Sequence, residues 1–325
     1  MLRVLIILVL SLQPLAAFAR CEGTDLIAAM PKAERDALES QAAAMPHSEG
    51  LLWLATRGDT RITLFGTYHF PHDETLRHLE NLKPMIETAG AVYLEVSNDD
   101  QSAMERALAE DPSLMFITEG KTLPDLLEED EWQRFSDEMR ARTIPPFFAA
   151  KFKPVWAAMM LGIGPCEARN GAMDGAGIDK LIGDHAASLG TPSRSLEDFR
   201  TLLEMLDSFP MNEQLDMIRL FFAWPGDPDD MAYTLRQRYL NQEIALIWSY
   251  SRAVSVTFGG DTAQEDFERF ERLLLTDRNT GWIDVLLTAP EDVLFAAVGA
   301  AHLPGENGVL HLLENEGFTI ERLPF

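Results

Sequence analysis

Basic residues are scarce. Lys and Arg total 27 against 52 Asp and Glu in 325 residues, a formal net charge of -25. That balance argues against a phosphate backbone or an anionic membrane as the chain's main target. Cysteine is nearly absent too. Only Cys21 and Cys166 occur, which excludes thiolate metal cages and thiol redox motifs. Past the N-terminus no apolar run is long enough to span a bilayer, and the closest, 155–163, is short. HExxH, the P-loop, the GxSxG elbow and GxGxxG are all missing, which removes the commonest sequence-adjacent zinc protease and serine hydrolase arrangements. What remains is ordinary globular composition, 46% hydrophobic and 24% charged, with ample length for a sizeable core.

The first 19 residues read as an export signal. Arg3 supplies the basic start, 4–12 the apolar run, and Ala17-Phe18-Ala19 the small residues of a cleavage site. Cys21 tempts a lipoprotein reading, but Arg20 is too large and charged for the position before a lipidated cysteine. The expectation is cleavage after Ala19 and a soluble periplasmic or secreted protein. In an oxidising compartment Cys21 and Cys166 have only each other, so one disulfide is expected, with two free thiols as the alternative.

The pattern of the chain predicts an α/β fold with a central mostly parallel or mixed sheet. A helix is expected over 22–46, then strands at 51–56 and 61–65 joined by the hairpin signal Arg57-Gly58-Asp59-Thr60. Another strand falls at 91–96. Helices follow at 102–110, 122–142, 151–161, 176–189, 197–208, 211–223, 230–250 and 264–287, interrupted by a strand at 192–196. The end returns to strand at 293–298, helix at 308–316 and strand at 318–323. Strands at both ends around a helical middle predict one domain, 20–325, with a helical insertion at about 101–289; two domains joined near 98 are the alternative.

Candidate chemistry sits at strand ends. Gly66-Thr67-Tyr68-His69 follows one apolar strand, Gly299-Ala300-Ala301-His302 follows another, and Leu94-Glu95 ends a third. Such ends are where α/β folds place ligand crevices. Gly66 and Gly299 are expected to let the backbone turn sharply and to leave room for a ligand. Two imidazoles and the Glu95 carboxylate make a divalent-metal set with a position left for water. The same groups without metal serve as a general base and its orienting partner. Tyr68, just before His69, is expected to narrow the pocket or supply a hydroxyl.

Other positions carry weaker signals. Arg278-Asn279, near the end of the 264–287 helix, can clamp a carboxylate or stabilise an oxyanion; position alone favours a surface Arg held by the helix dipole. His72, Asp73 and Glu74 read as a solvated turn. His78, His185 and His311 fall on helices among surface residues, and His47 in a loop. Phe147-Phe148, after Pro145-Pro146, reads as core or a lid contact.

The paired GxxH motifs resemble the TraB/GumN family, which includes the Tiki proteins. The resemblance is most specific at Arg278-Asn279, at 298–305 and at 308–318, and in the N-terminal half at 64–69 with Leu94-Glu95. Weaker matches are 153–156, Gly177-Ile178-Asp179 and Ser195-Leu196-Glu197. The resemblance implies an erythromycin-esterase/ChaN-like α/β fold. For the Tiki branch it implies a metal-dependent protease with both GxxH histidines and the strand-end Glu in the active site. On that footing His69, Glu95 and His302 are metal ligands or catalytic groups, Arg278 and Asn279 orient substrate or site groups, and the ion is manganese, cobalt or zinc.

The expected function is therefore an exported metal-dependent hydrolase, most simply a peptidase. A non-metal esterase-like hydrolase and a metal-, haem- or peptide-binding protein without turnover are the alternatives. The expected partner is a peptide or small-molecule substrate, with no nucleic acid and no stable membrane span in the mature chain.

Overall fold

The structure, a computed structural model, describes residues 21–173 and 177–325. The expected export signal, 1–19, lies outside the described residues. Six strands form one sheet: β1 (Leu52–Arg57), β2 (Thr60–Thr67), β3 (Ala91–Leu94), β4 (Ser193–Ser195), β5 (Val293–Gly299) and β6 (Thr319–Arg322), in the order β4-β3-β5-β2-β1-β6. The α/β expectation is met, and the sheet is mixed. β2, β5, β3 and β4 run parallel, while β1 is antiparallel to both β2 and β6. Gly58 and Asp59 close the β1–β2 hairpin, with Gly58 at a φ of 59°.

The strands are apolar because both faces are covered. Ile62, Leu64, Leu294, Ala296 and Val298 pack on one side against Trp282, Ile283, Leu310 and Leu313. Phe65, Val92, Leu94, Phe295 and Ala297 pack on the other against Leu82, Ile86, Ile178 and Ile182. Period-two alternation thus sends successive residues of β2 and β5 into two different cores.

Among the described residues between β3 and β5 the regular elements are helices apart from β4 and one isolated bridge, Phe116 to Phe152, in keeping with the predicted helical insertion. Several predicted helices are broken. The helix expected over 22–46 forms only at Lys32–Ala43, after Pro31. That expected over 122–142 splits into Leu123–Leu126 and Glu129–Ala141 because Glu131 accepts from the Glu128 N–H and caps a new start. That expected over 230–250 splits into Pro228–Leu240 and Ile244–Phe258 at Gln242, whose φ is 65°. The run expected over 264–287 is continuous but widens into a π turn at Arg272–Thr276 before the helix Asp277–Leu287. No helix of the described residues is long and apolar enough to cross a membrane.

Cys21 and Cys166 form a disulfide across 145 residues. It pins the start of the described chain to the short helix Pro165–Arg169. Asn170 Nδ2 donates to both sulfurs, and Arg236 ties the Cys21 carbonyl to Glu167. Residues of the same segment, Ala168 and Ala172, pack with Ile163 against Phe70.

Candidate active site

The central parallel strands β2, β5 and β3 end at one edge of the sheet. Three polar groups meet just past those ends. A Cβ placed on Gly299 would lie 3.1 Å from Glu95 Oε1, 3.2 Å from His69 Nε2 and 3.5 Å from His302 Cδ2. The missing side chain of Gly299 therefore leaves a space bounded by both histidines and the carboxylate.

Each group is held from outside that space. Asp179 Oδ2 stands 3.2 Å from His69 Nδ1, and its Oδ1 accepts from Thr67 Oγ1 at 2.5 Å. Asn279 donates through Nδ2 to the Asn307 carbonyl at 2.8 Å, which leaves Oδ1 as an acceptor, 2.6 Å from His302 Nδ1. The His302 proton thus sits on Nδ1, and Nε2 carries the lone pair. Glu95 Oε1 accepts from the Gly299 N–H at 2.6 Å. Gly177 is as necessary on the other side. A Cβ there would fall 2.1 Å from the His69 carbonyl oxygen, so only glycine lets the helix Ile178–Leu189 dock on the His69 backbone and present Asp179.

Arg278 is the hub of the charges. Its side chain is 10% exposed. Nη2 donates to Glu95 Oε2 at 2.6 Å, Nη1 lies 3.2 Å from His302 Nε2, and Nε reaches both oxygens of Glu197 at 3.0 and 3.1 Å. The guanidinium also lies over Trp282, 4.8 Å from its centroid, and Trp282 in turn packs on the His302 ring at 4.4 Å. The expectation of a surface Arg at a helix end is corrected. Arg278 opens the helix that follows the π turn, and that turn brings it to the sheet edge.

Burial pulls the Glu95 carboxyl up, but His302, Arg278, His69 and the Gly299 N–H outweigh it and hold it at about 2. Burial drives the His302 imidazole down to about 3. With His302 neutral, the charge that keeps Glu95 ionised comes chiefly from Arg278. Asp179 raises His69 above its ordinary value, and water screens part of that pull because the ring is 59% exposed. A cleft of about 240 Å³ opens beside His69 and Glu95, walled by Val96, Gln101, Met104 and Lys180.

The predicted residues fare differently. His69, Glu95, His302, Arg278, Asn279 and Gly299 come together. Gly66 leaves no room for a ligand, since the space beside it is filled by Leu303 and Ala300 at about 3 Å. Neither Gly66 nor Gly299 has a positive φ, so neither makes the sharp turn expected of it. Tyr68 does not line the cleft. Its ring packs on Phe70, His72 and Tyr239, and burial keeps the hydroxyl protonated. His72 does lie in a turn, but His78 is buried against His72 and Phe325 and is no surface residue. Asp179 and Glu197 had no assigned role in the sequence reading. Their signals were the weaker family matches at Gly177-Ile178-Asp179 and Ser195-Leu196-Glu197, which gave neither a contact nor a role.

A family model described as the TraB/PrgY/gumN family matches residues 51–322. The chain belongs to this family. The match takes in both GxxH motifs, Glu95, Arg278 and Asn279, so the TraB/PrgY/gumN framework and the site coincide. No curated protein and no solved structure matches the chain.

The donor set suits a small divalent cation in kind. It has two imidazoles, each with Nδ1 engaged by an outer partner, one ionised carboxylate, and a space kept open by Gly299. As placed, no three His, Cys, Asp or Glu side chains of the described residues close on a single point, because His302 Nε2 is turned to Arg278.

Proposed function

We propose that the chain is an exported hydrolase that uses a divalent metal ion, manganese, cobalt or zinc, to cleave peptides. The observation that carries this reading is that His69 Nε2, Glu95 Oε1 and the Cδ2 edge of the His302 ring all border the space over Gly299, at 3.1–3.5 Å from where a Cβ would stand. His69, Glu95 and His302 would hold the ion. The chemistry such an ion supplies when bound is a water activated near neutral pH and a polarised carbonyl.

The chain's own residues do the positioning. Asp179 and Asn279 engage Nδ1 of each imidazole and leave Nε2 as the nitrogen open to a ligand. Arg278 keeps Glu95 ionised and, clamped by Glu197, holds the carboxylate in one orientation. The cleft beside Val96, Gln101 and Met104 gives a substrate chain a wall to lie against. Peptide as substrate follows from the resemblance of the paired motifs to the Tiki proteins. Export is supported by the apolar N-terminal run ending in Ala17-Phe18-Ala19 and by the pairing of Cys21 with Cys166. A sheet that draws strands from both ends of the chain supports one interrupted domain over 20–325.

One observation favours a second reading. Arg278 already engages His302 Nε2 and Glu95 Oε2, which suits a metal-free site in which the Glu95 carboxylate and His69 act as a proton-transfer pair. Elemental analysis of protein purified without chelators, with peptide-mixture assays in chelator and in added manganese, cobalt or zinc, separates the two. Metal-dependent cleavage lost in both His69→Ala and His302→Ala supports the first. Chelator-insensitive hydrolysis lost in His69→Ala supports the second. Stoichiometric ligand binding with no turnover rejects both.

A further inference from the structure

The cleft beside His69 and Glu95 measures about 240 Å³. That is below the range of about 300–1,000 Å³ usual for a small-molecule pocket, and it suits one bulky side chain better than a whole ligand. Leu94 and Val96 reach it from the end of β3, Gln101 and Met104 from the helix Asn98–Glu110, and Asp179 and Lys180 from the helix Ile178–Leu189. Phe147 and Phe148, expected as core or a lid contact, are neither. They are 80% and 46% exposed and share no wall with this cleft.

Each charged side chain that lines the cleft is already engaged. Lys180 Nζ pairs with Asp184 at 2.7 Å, Asp179 is turned onto His69 at 3.2 Å, and Glu95 accepts from Arg278 at 2.6 Å. A charged side chain entering here must break one of these pairs or lose water without gaining a partner. An apolar one meets Leu94, Val96 and Met104 and leaves water at no such cost. The outer wall is also fixed in register with the catalytic groups. Asn98 Nδ2 donates to the Lys180 carbonyl at 3.2 Å and to Asp184 Oδ1 at 2.8 Å, which ties the start of the helix Asn98–Glu110 to the helix that presents Asp179. Gly183 permits this approach, since a Cβ there would fall 2.4 Å from Asn98 Oδ1. Gln101 and Met104 follow three residues apart on neighbouring positions of one helix face.

We propose that this cleft is a specificity pocket for an aliphatic side chain next to the bond that is cleaved, and that Met104 sets the preference. The inference rests on the hydrolase reading and names its substrate class: peptides with leucine, isoleucine or methionine beside the scissile bond. The unbranched thioether of Met104 adapts to aliphatic chains of different shape. The helix that carries it buries none of its residues, so a change at Met104 leaves the cores on both faces of the sheet intact.

A mixture of synthetic peptides randomised at each position is incubated with the purified chain, with and without added manganese, cobalt or zinc, and the products are read by mass spectrometry. The expected result is cleavage beside leucine, isoleucine or methionine, favoured over alanine about tenfold or more. Met104→Glu should shift the preference toward lysine and arginine, and Met104→Lys toward aspartate and glutamate. Circular dichroism and the thermal midpoint show that each variant folds, and having two variants of opposite charge keeps the test open if one does not. Cleavage with no aliphatic preference, or with one that the folded Met104 variants leave unchanged, overturns the inference while the hydrolase reading stands. No cleavage under any condition rejects the hydrolase reading, and labelled leucine, aspartate and lysine peptides titrated onto the chain then decide the pocket. Tighter binding of the leucine peptide, lost in Met104→Glu, supports it; equal binding of all three, or none, overturns it.

Discussion

Arg278 Nη2 donates to Glu95 Oε2 at 2.6 Å across 183 residues of chain, and the same guanidinium grips Glu197. One buried cation is therefore shared between two largely buried carboxylates. Arg278→Leu leaves both uncompensated and should cost about 3–5 kcal/mol of stability. Arg278→Lys keeps the charge but loses the planar fork, and a point charge cannot satisfy Glu95, Glu197 and His302 together. It should fold, with hydrolysis reduced on the order of a hundredfold by the misplaced carboxylate. Urea denaturation and peptide-cleavage rates on the two variants distinguish charge from geometry; equal activity in Arg278→Lys and wild type rejects the positioning role.

The two glycines nearest His69 should respond differently. At Gly299 an added Cβ meets only side chains: Glu95 Oε1 and His69 Nε2, which need shift by a few tenths of an ångström, and the His302 ring at an ordinary contact of 3.5 Å. Gly299→Ala should then keep its stability within about 1 kcal/mol while filling the space on which the proposed site depends. Metal uptake, read by elemental analysis, should fall with activity. At Gly177 the clash is with the His69 backbone carbonyl at 2.1 Å, so Gly177→Ala must move the helix or the loop and should lose both stability and activity. A stable, fully metal-loaded Gly299→Ala would remove that space from the site.

The contrast between what was legible and what was not runs along the same residues. The runs 61–65, 91–96 and 293–298 are apolar because both sheet faces are covered, and that pattern alone put His69, Glu95 and His302 at strand ends. Their partners were legible only through the family resemblance, strongly at Arg278-Asn279 and weakly at Asp179 and Glu197, and no local pattern tells what each of them touches. Asp179 lies 110 residues from His69, and Arg278 lies 183 from Glu95, so only the strand order and the π turn bring them in. The breaks at Glu128 and Gln242 were missed because helical periodicity continues across them. A side-chain cap decides the first and a single positive φ the second. Phe147 was misjudged because hydrophobicity predicts burial only on average.

Acid should weaken the fold through His72. Burial, with His78 and Arg236 nearby, lowers its imidazole from 6.5 to about 4. Its Nδ1 accepts from the Glu74 N–H, and its Nε2 is buried without a partner. The unfolded chain takes up the proton below pH 6.5 and the folded chain only near 4, so the unfolded state binds more protons in between. Stability is thus fully present above 6.5 and declines as pH falls toward 4, by about 2 kcal/mol after allowance for partial exposure. His78, also lowered by burial, acts in the same direction. His72→Asn keeps an acceptor for Glu74 N and should flatten the slope of unfolding free energy against pH relative to wild type. Parallel slopes would rule His72 out as the source.

The Cys21–Cys166 bond should be a large single contribution to stability. It closes a loop of 145 residues, and the loss of chain entropy in the unfolded state corresponds to about 5 kcal/mol at most for a loop of that size. Its effect should also be local. The segment that carries Cys166 packs Ala168 and Ala172 against Phe70, next to His69, and Glu167 binds Arg236, which in turn holds the Cys21 carbonyl. Releasing the bond leaves residue 21 held through its carbonyl by Arg236 alone of these ties and loosens the wall behind the His69 loop. Cys21→Ser/Cys166→Ser should therefore lower the urea midpoint, and hydrogen exchange should quicken at 166–173 and 68–72 more than in β5. Protection lost uniformly across the sheet would mean that the cross-link acts on the unfolded chain alone. An unchanged midpoint would mean that the unfolded chain gains little freedom when the bond is removed.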